Sequence, residues 1–214
     1  DATLEVGSMD RGSHFVSMEV WERDMNFKWE IIVVYGPADH SLSSIFLDEL
    51  SNKLESCTIS IVLGGDFNLL HSPADKNNLN FSWTLANAFN DFISNCAIRE
   101  LPRVGACFTW TNHQSIPIRS VFNHLFICSS WDSLFPRATL KARPIIGSDH
   151  PTLILDAGIE SHIAPSRFQF DASWLLIYLF YDLISVKISS FLSAGRRSFG
   201  PWMTGTIALM LFVN

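Results

Sequence analysis

Two acid-bearing segments, 83 residues apart, constrain this chain more than anything else in it. The first runs Ile59-Ser60-Ile61-Val62-Leu63-Gly64-Gly65-Asp66-Phe67-Asn68, and the second Gly147-Ser148-Asp149-His150-Pro151 and on into Thr152-Leu153-Ile154-Leu155. In each, an acidic residue and a second polar group adjoin a strand-forming run. That pattern places reactive side chains at the edge of a rigid sheet. Together the segments offer two carboxylates, a carboxamide and an imidazole. Such a set can hold a divalent metal, activate a water and stabilise a phosphoryl transition state. Each segment alone also fits a turn whose Asp bonds its own backbone. The conjunction, in this order and with each part joined to a strand, is much more specific.

The rest of the chain alternates strands and helices. Glu30 to Tyr35 is a β-branched run stopped by Gly36-Pro37, which reads as a buried strand entering a turn. Ser41 reads as an N-cap, with Leu42, Ile45, Phe46, Leu50 and Leu54 following at helical spacing. Asp66 and Asn68 are expected in a loop after the strand Ile59–Leu63. Ser72 to Asn78 is polar and turn-rich, near enough to Asp66 to touch a ligand but equally a plain surface loop. A second helix is expected from about Ser82 to Asn95, with Trp83, Ala86, Phe89, Phe92 and Ile93 inward. Phe108–Thr111, Val121–Ile127, Arg137–Ile145 and Thr152–Leu155 read as further strands. The class is therefore α/β or α+β with a mixed sheet.

Composition fits one sizeable core: 48% of the 214 residues are apolar and 27 are aromatic. A net charge of −6 argues against simple electrostatic binding of nucleic acid. The charge is uneven, however. Residues 1–98 carry 14 acids and 5 bases, whereas 99–149 carry 6 bases and 3 acids. A locally basic face around an acidic pocket suits a polyanion, although scattered surface Arg would give the same count. Cys57, Cys96, Cys107 and Cys128 lack any CxxC spacing and read as buried thiols of a reducing compartment. The chain starts at Asp1 without Met or a signal-peptide pattern and reads as a piece of a longer protein. Past Trp174 two apolar runs, 174–184 and 205–213, fall short of the ~20 residues that span a bilayer. No membrane association is expected of them.

At Gly65-Asp66-Phe67-Asn68 and Ser148-Asp149-His150 the chain resembles the endonuclease/exonuclease/phosphatase family. Further stretches look like the endonuclease domain of plant LINE-type (non-LTR) retrotransposons: Val34-Tyr35-Gly36-Pro37, Ser72-Pro73-Ala74-Asp75-Lys76-Asn77-Asn78, Arg103-Val104-Gly105, Phe108-Thr109-Trp110-Thr111-Asn112 and Gly147-Ser148-Asp149-His150. The resemblance covers roughly His14 to Trp174, and Arg167-Phe168-Gln169-Phe170 resembles the segment leading out of that domain. It implies a DNase I-like four-layer α/β/β/α sandwich over 1–173, with 174–214 a divergent apolar tail. By the same resemblance Asp66 positions and deprotonates the attacking water, and Asn68 binds a phosphate oxygen and holds Asp66. Asp149 ligates or supports the metal, Mg²⁺ or Mn²⁺, and His150 donates to a non-bridging oxygen. DNA is the implied substrate, a downstream reverse transcriptase the implied companion domain, and the nucleus the implied location.

Two departures bear on activity. The family opens with a strand carrying an Asn and a second ending in a metal-ligating Glu within a Gln-Glu-Thr-like motif. Nothing upstream of Gly36 supplies these; Glu5, Glu19, Glu22 and Glu30 are candidates by type only. The domain is thus expected to lack its N-terminal part and to bind metal weakly. The family also usually has Asp where this chain has Asn123. An amide can hold an imidazole in the wrong tautomer and cannot stabilise its cation. His113 likewise stands where Arg is common. The reading is a metal-dependent DNA endonuclease domain of retrotransposon origin, weak or inactive as it stands. The alternatives are a decayed, non-catalytic fragment and a phosphatase or lipid phosphodiesterase of the same superfamily.

Overall fold

The computed structural model describes residues 4–143, 149–158 and 208–211. Strands β1 (Leu4–Arg11), β2 (Phe15–Glu22) and β3 (Phe27–Tyr35) form an antiparallel meander. Helix α1 (Ser43–Ser56) then carries the chain back, so that β4 (Ser60–Asp66) lies parallel to β3. Helix α2 (Trp83–Asn95) leads to the short strands β5 (Ile98–Glu100) and β6 (Arg103–Gly105) and to the ribbon of β7 (Trp110–Thr111) and β8 (Arg119–Ser120). Strand β9 (Asn123–Cys128) inserts beside β4, and α3 (Ser129–Leu134) follows it. Strands β10 (Thr139–Arg143), β11 (Thr152–Asp156) and β12 (Ala208–Leu211) complete the set. The first sheet has the order β1-β2-β3-β4-β9-β5 and the second the order β12-β11-β10-β6.

Alternation along β3 explains the layering. Trp29, Ile31 and Val33 join Val62, Leu125, Leu140, Leu153 and Leu155 in a core between the two sheets. Ile32 and Val34 point the other way, into a core with Phe46 and Leu50 of α1 and Phe89 and Phe92 of α2. A strand covered on both faces needs apolar residues at every position, which is why Ile31 to Val34 shows no polar alternation. The described residues thus stack helix, sheet and sheet in an α/β arrangement, as the sequence implied.

Several local expectations need correction. Asp39, not Ser41, caps the first helical turn: its side chain accepts from the Ser41 amide, and α1 proper begins at Ser43. Trp83 is 64% exposed, not inward, because it occupies the first position of α2 and packs edge-on against Phe81. Ile45 also faces out. Cys107 is exposed and the other three thiols are half-buried, so the set is free but not fully buried. Strand β4 runs through both glycines and ends on Asp66 itself, so only Asn68 lies in the loop. Residues 144–148, hence Gly147 and Ser148, lie outside the described residues, as does 159–207, which holds Arg167–Phe170 and the first apolar run of the expected tail. From the second run, β12 pairs antiparallel with β11.

Candidate active site

Three adjacent strands end together. Asp66, the last residue of β4, is in register with Tyr35 at the end of β3 on one side and with Asn123 at the start of β9 on the other. Residues paired in register project to the same face, so a phenol, a carboxylate and a carboxamide stand in a row at the sheet's edge. The backbone that delivers them is specialised. Gly65 has φ +144°, and a Cβ there would lie 2.1 Å from the Val34 carbonyl oxygen. Only glycine lets β4 approach β3 so closely at this point. Asn68 takes a left-handed conformation at φ 51°, which Asn tolerates better than most residues. Its amide donates to Asp66 Oδ1 at 2.9 Å, and its Nδ2 donates to the Gly36 carbonyl at 2.8 Å. That second bond fixes the carboxamide with its oxygen turned away from Gly36.

The second acid-bearing segment comes to the same edge. His150 Nε2 is 3.7 Å from Asp66 Oδ2, and His150 Nδ1 is 2.7 Å from Asn123 Oδ1. The imidazole therefore lies between the carboxamide and the carboxylate. With the carboxamide oxygen facing Nδ1, that nitrogen carries the proton in the neutral ring. An amide oxygen here can accept from that nitrogen as a carboxylate would, but it lacks the charge to stabilise the cation.

The run Phe108-Thr109-Trp110-Thr111 ties both halves together. Thr109 is buried, and its Oγ1 accepts from the Phe122 and Asn123 amides, both at 2.8 Å. Trp110 Nε1 donates to Asp149 Oδ2 at 3.3 Å, and the Thr111 amide donates to the Asp149 carbonyl at 3.2 Å. The Arg103 guanidinium adds a bond to the Asn123 carbonyl at 3.4 Å. Tyr35, Thr109, Trp110 and Arg103 had all stood in motif stretches without an assigned task. What each does depends on contacts between strands distant in sequence.

Electrostatically the pocket disfavours charge. Burial pushes the Asp66 carboxyl up to about 6, reinforced by the negative charge of Asp149 and opposed by the Asn68 amide. Burial also pulls His150 below its ordinary value, which Asp149 partly offsets. Tyr35 is raised by burial and by the charges of Asp66 and Asp149. Two carboxylates with an amide oxygen close by make a donor set of hard oxygens suited to a divalent cation.

None of the upstream glutamates joins them. Glu30 pairs with Lys53 at 2.8 Å and lies across from Ile61, five positions before Asp66, on the order of 16 Å along the strand. Glu19 faces Glu30 across the β2–β3 pair, Glu22 pairs in register with Phe27 at the far end of β3, and Glu5 is ion-paired with Arg23. Asp66 and Asp149 are the acids that meet at this edge among the described residues.

No family model and no curated protein matches the sequence. The fold does match solved structures. One is the endonuclease domain of TRAS1, a telomere-specific non-LTR retrotransposon, with TM-score 0.59 at 13% identity over 75% of this chain and 72% of that one. Another is the AP endonuclease LMAP from Leishmania major, with TM-score 0.51 at 11% identity over 66% of this chain and 54% of that one. The chain thus spans about half of the second protein's length. At such identities the likeness concerns the fold: it is the DNase I-like α/β sandwich of the endonuclease/exonuclease/phosphatase proteins.

Proposed function

We propose that this chain is a metal-dependent phosphodiesterase domain, an endonuclease that nicks DNA, derived from a non-LTR retrotransposon and weakly active with Asn at position 123. The observation that carries the reading is the convergence of Asn123, His150 and Asp66 at 2.7 and 3.7 Å on one strand edge beside Asp149. A hydrolase needs a base for water and a donor for the phosphoryl oxygens. Asp66, held by the Asn68 amide and poised near pH 6, suits the base. Protonated His150 suits the donor, its Nε2 turned to the carboxylate side and its Nδ1 anchored on Asn123. The water oxygen attacks phosphorus in line while its proton passes to Asp66, and the bond to the leaving oxygen breaks opposite, that oxygen taking up a proton from solvent. Asn68 Oδ1 and the Tyr35 hydroxyl lie at the same edge to position the water and the phosphate. Asp149 would ligate or support a divalent ion, which would supply charge neutralisation at the phosphate when bound.

The retrotransposon lineage rests on the sequence stretches outside the acids and on the fold shared with the TRAS1 endonuclease domain. A nucleic-acid substrate also suits the recess of about 350 Å³ beside the Ser72–Asn78 loop, lined by Lys76, Asn77, Phe81 and Trp83. Its exposed ring at Trp83 offers a stacking face to a base. No helix among the described residues is long and apolar enough to cross a membrane.

The test is relaxation of supercoiled plasmid by the purified chain in Mg²⁺ or Mn²⁺, with Asp66→Ala as control. Slow, metal-dependent nicking that Asp66→Ala abolishes supports the proposal. A second reading, a non-catalytic remnant, is favoured by the lack of a glutamate at this edge among the described residues. Nicking indistinguishable from Asp66→Ala would select that reading.

A further inference from the structure

Asn123 and His124 are consecutive on β9, so their side chains leave opposite faces of the sheet. Asn123 faces the pocket just described. His124 points into the layer beneath α2, where it meets two other ionisable side chains. His124 Nδ1 lies 2.7 Å from Glu100 Oε1, and His71 Nε2 lies 3.2 Å from Glu100 Oε2. The three ligating atoms all fall within 4.8 Å of one another. His124 is fully buried, while the His71 and Glu100 side chains keep 21% and 32% exposure.

The outer nitrogens of both rings are committed. His124 Nε2 lies 3.2 Å from the Leu69 carbonyl, which can only accept, so that nitrogen carries a proton. Asn90 Nδ2 donates to the His71 carbonyl at 3.0 Å, which turns Asn90 Oδ1 toward His71 Nδ1 at 2.8 Å. That nitrogen also carries a proton. Both inner nitrogens, His124 Nδ1 and His71 Nε2, are therefore the ones that present lone pairs in the neutral rings. His71 Nε2 is buried and, despite its nearness to Glu100, makes no well-aligned hydrogen bond. A histidine that donates one ring N–H to a carbonyl oxygen and turns the other nitrogen to a shared centre has the arrangement of a metal ligand with its outer support.

We propose that His71, Glu100 and His124 bind a single divalent ion of the zinc class, separate from the pocket at Asp66. Two imidazole nitrogens and a carboxylate suit Zn²⁺ and disfavour Mg²⁺. Bonds of ~2.0–2.1 Å in tetrahedral geometry require ligand separations of about 3.3 Å; the cluster reaches this by adjustments of an ångström or so. Three protein ligands leave the fourth tetrahedral position for water. The surroundings hold the ligands in place. His71 stacks on Phe89 with ring centroids 4.8 Å apart, and the two imidazoles meet edge to face at 4.7 Å. Asp75, which accepts from the His71 and Ser72 amides, adds negative charge nearby, and the charge of Arg103 opposes it. The ion would tie the Phe67–Asp75 loop to β5 and β9, under the loop that carries Asn68. The ion takes the place of the contact that His124 Nδ1 makes directly with Glu100 Oε1 without it.

The experiment uses the full chain, stripped with EDTA and equilibrated with Zn²⁺ alone. The expected result is one Zn²⁺ per chain, kept in a hundredfold excess of Mg²⁺, with melting raised by about 5–10 °C at a hundred times the dissociation constant. His71→Phe and Glu100→Gln should lose the ion, whereas Asp66→Asn should keep it. X-ray absorption on the unaltered chain should show nitrogen and oxygen near ~2.0 Å with imidazole scattering and no sulfur at ~2.3 Å, which excludes the cysteines. This last readout stands even if a variant does not fold. Absence of stoichiometric Zn²⁺, retention of it by folded His71→Phe, or a sulfur-dominated spectrum would overturn the site.

Discussion

Asn123 Oδ1 lies 2.7 Å from His150 Nδ1, on the side of the ring away from Asp66. A neutral oxygen in this place orients the imidazole but does nothing for its positive form, and burial already pulls that form's stability down. Asn123→Asp keeps the geometry and adds the missing charge. It should raise the nicking rate by ~10–10⁴, the upper figure being the loss that the reverse change causes in a serine protease. The sign on pH is definite. A carboxylate beside the ring raises the histidine's pKa, so the alkaline limb of the pH–rate profile should move up. An unchanged rate and an unchanged limb would remove Asn123 from the site.

Asp66 sets a stability cost that varies with pH. Its carboxyl titrates near 6 in the folded chain, against the ordinary 3.8. A raised acid stabilises the fold fully below the lower value, and that contribution is lost as pH rises through the upper one. Above pH 7 the buried charge costs roughly 2–3 kcal/mol. Asp66→Asn retains the oxygen that accepts from the Asn68 amide and removes the charge. With EDTA present, it should melt with the unaltered chain at pH 4 and several degrees above it at pH 8. Equal melting at both pH values would show that the carboxylate is relieved by a partner or by water.

Gly65 offers a sharper structural test. At φ +144°, with the Val34 carbonyl where a Cβ would go, Gly65→Ala must strain the backbone and push β3 from β4. The loss should exceed the ~1–3 kcal/mol typical of a strained residue, because clash adds to conformation. Chemical denaturation would measure it. A change below about 1 kcal/mol would mean that the strands part easily at the site's edge.

How much of this was legible in the sequence depends on the range of the interaction. Ile31 to Val34 and the helical spacing of Phe46, Leu50, Phe89 and Phe92 are local signals, and each ended in the expected layer. The meeting of Asp66 with His150 was inferable because each sits against its own strand, and strands in one sheet edge bring such ends together. Trp83 misled because a helix's first turn often overhangs the sheet, so periodicity there says little about burial. The role of Thr109 was invisible, since nothing in Phe-Thr-Trp-Thr says that the hydroxyl turns to the amides of another segment. The cluster of His71, Glu100 and His124 was missed for a related reason. These residues come from a loop, from β5 and from β9, and are spaced by no motif.

Thr109 is the side chain on which the site's geometry should most depend without touching the substrate. It is fully buried, and its Oγ1 accepts two backbone N–H groups that place Asn123 at the start of β9. Thr109→Val has nearly the same shape but cannot accept. Two buried donors are then left unpaired, at ~1–3 kcal/mol each. The variant should lose roughly 2–5 kcal/mol and, by shifting Asn123 and hence His150, lose nicking further than its folded fraction explains. Thr109→Ser restores the acceptor and should recover most of both. If Thr109→Val loses stability alone, with activity per folded molecule intact, β9 holds Asn123 in place without the hydroxyl. If serine fails to rescue, the methyl group's packing, not the acceptor, is what Thr109 supplies.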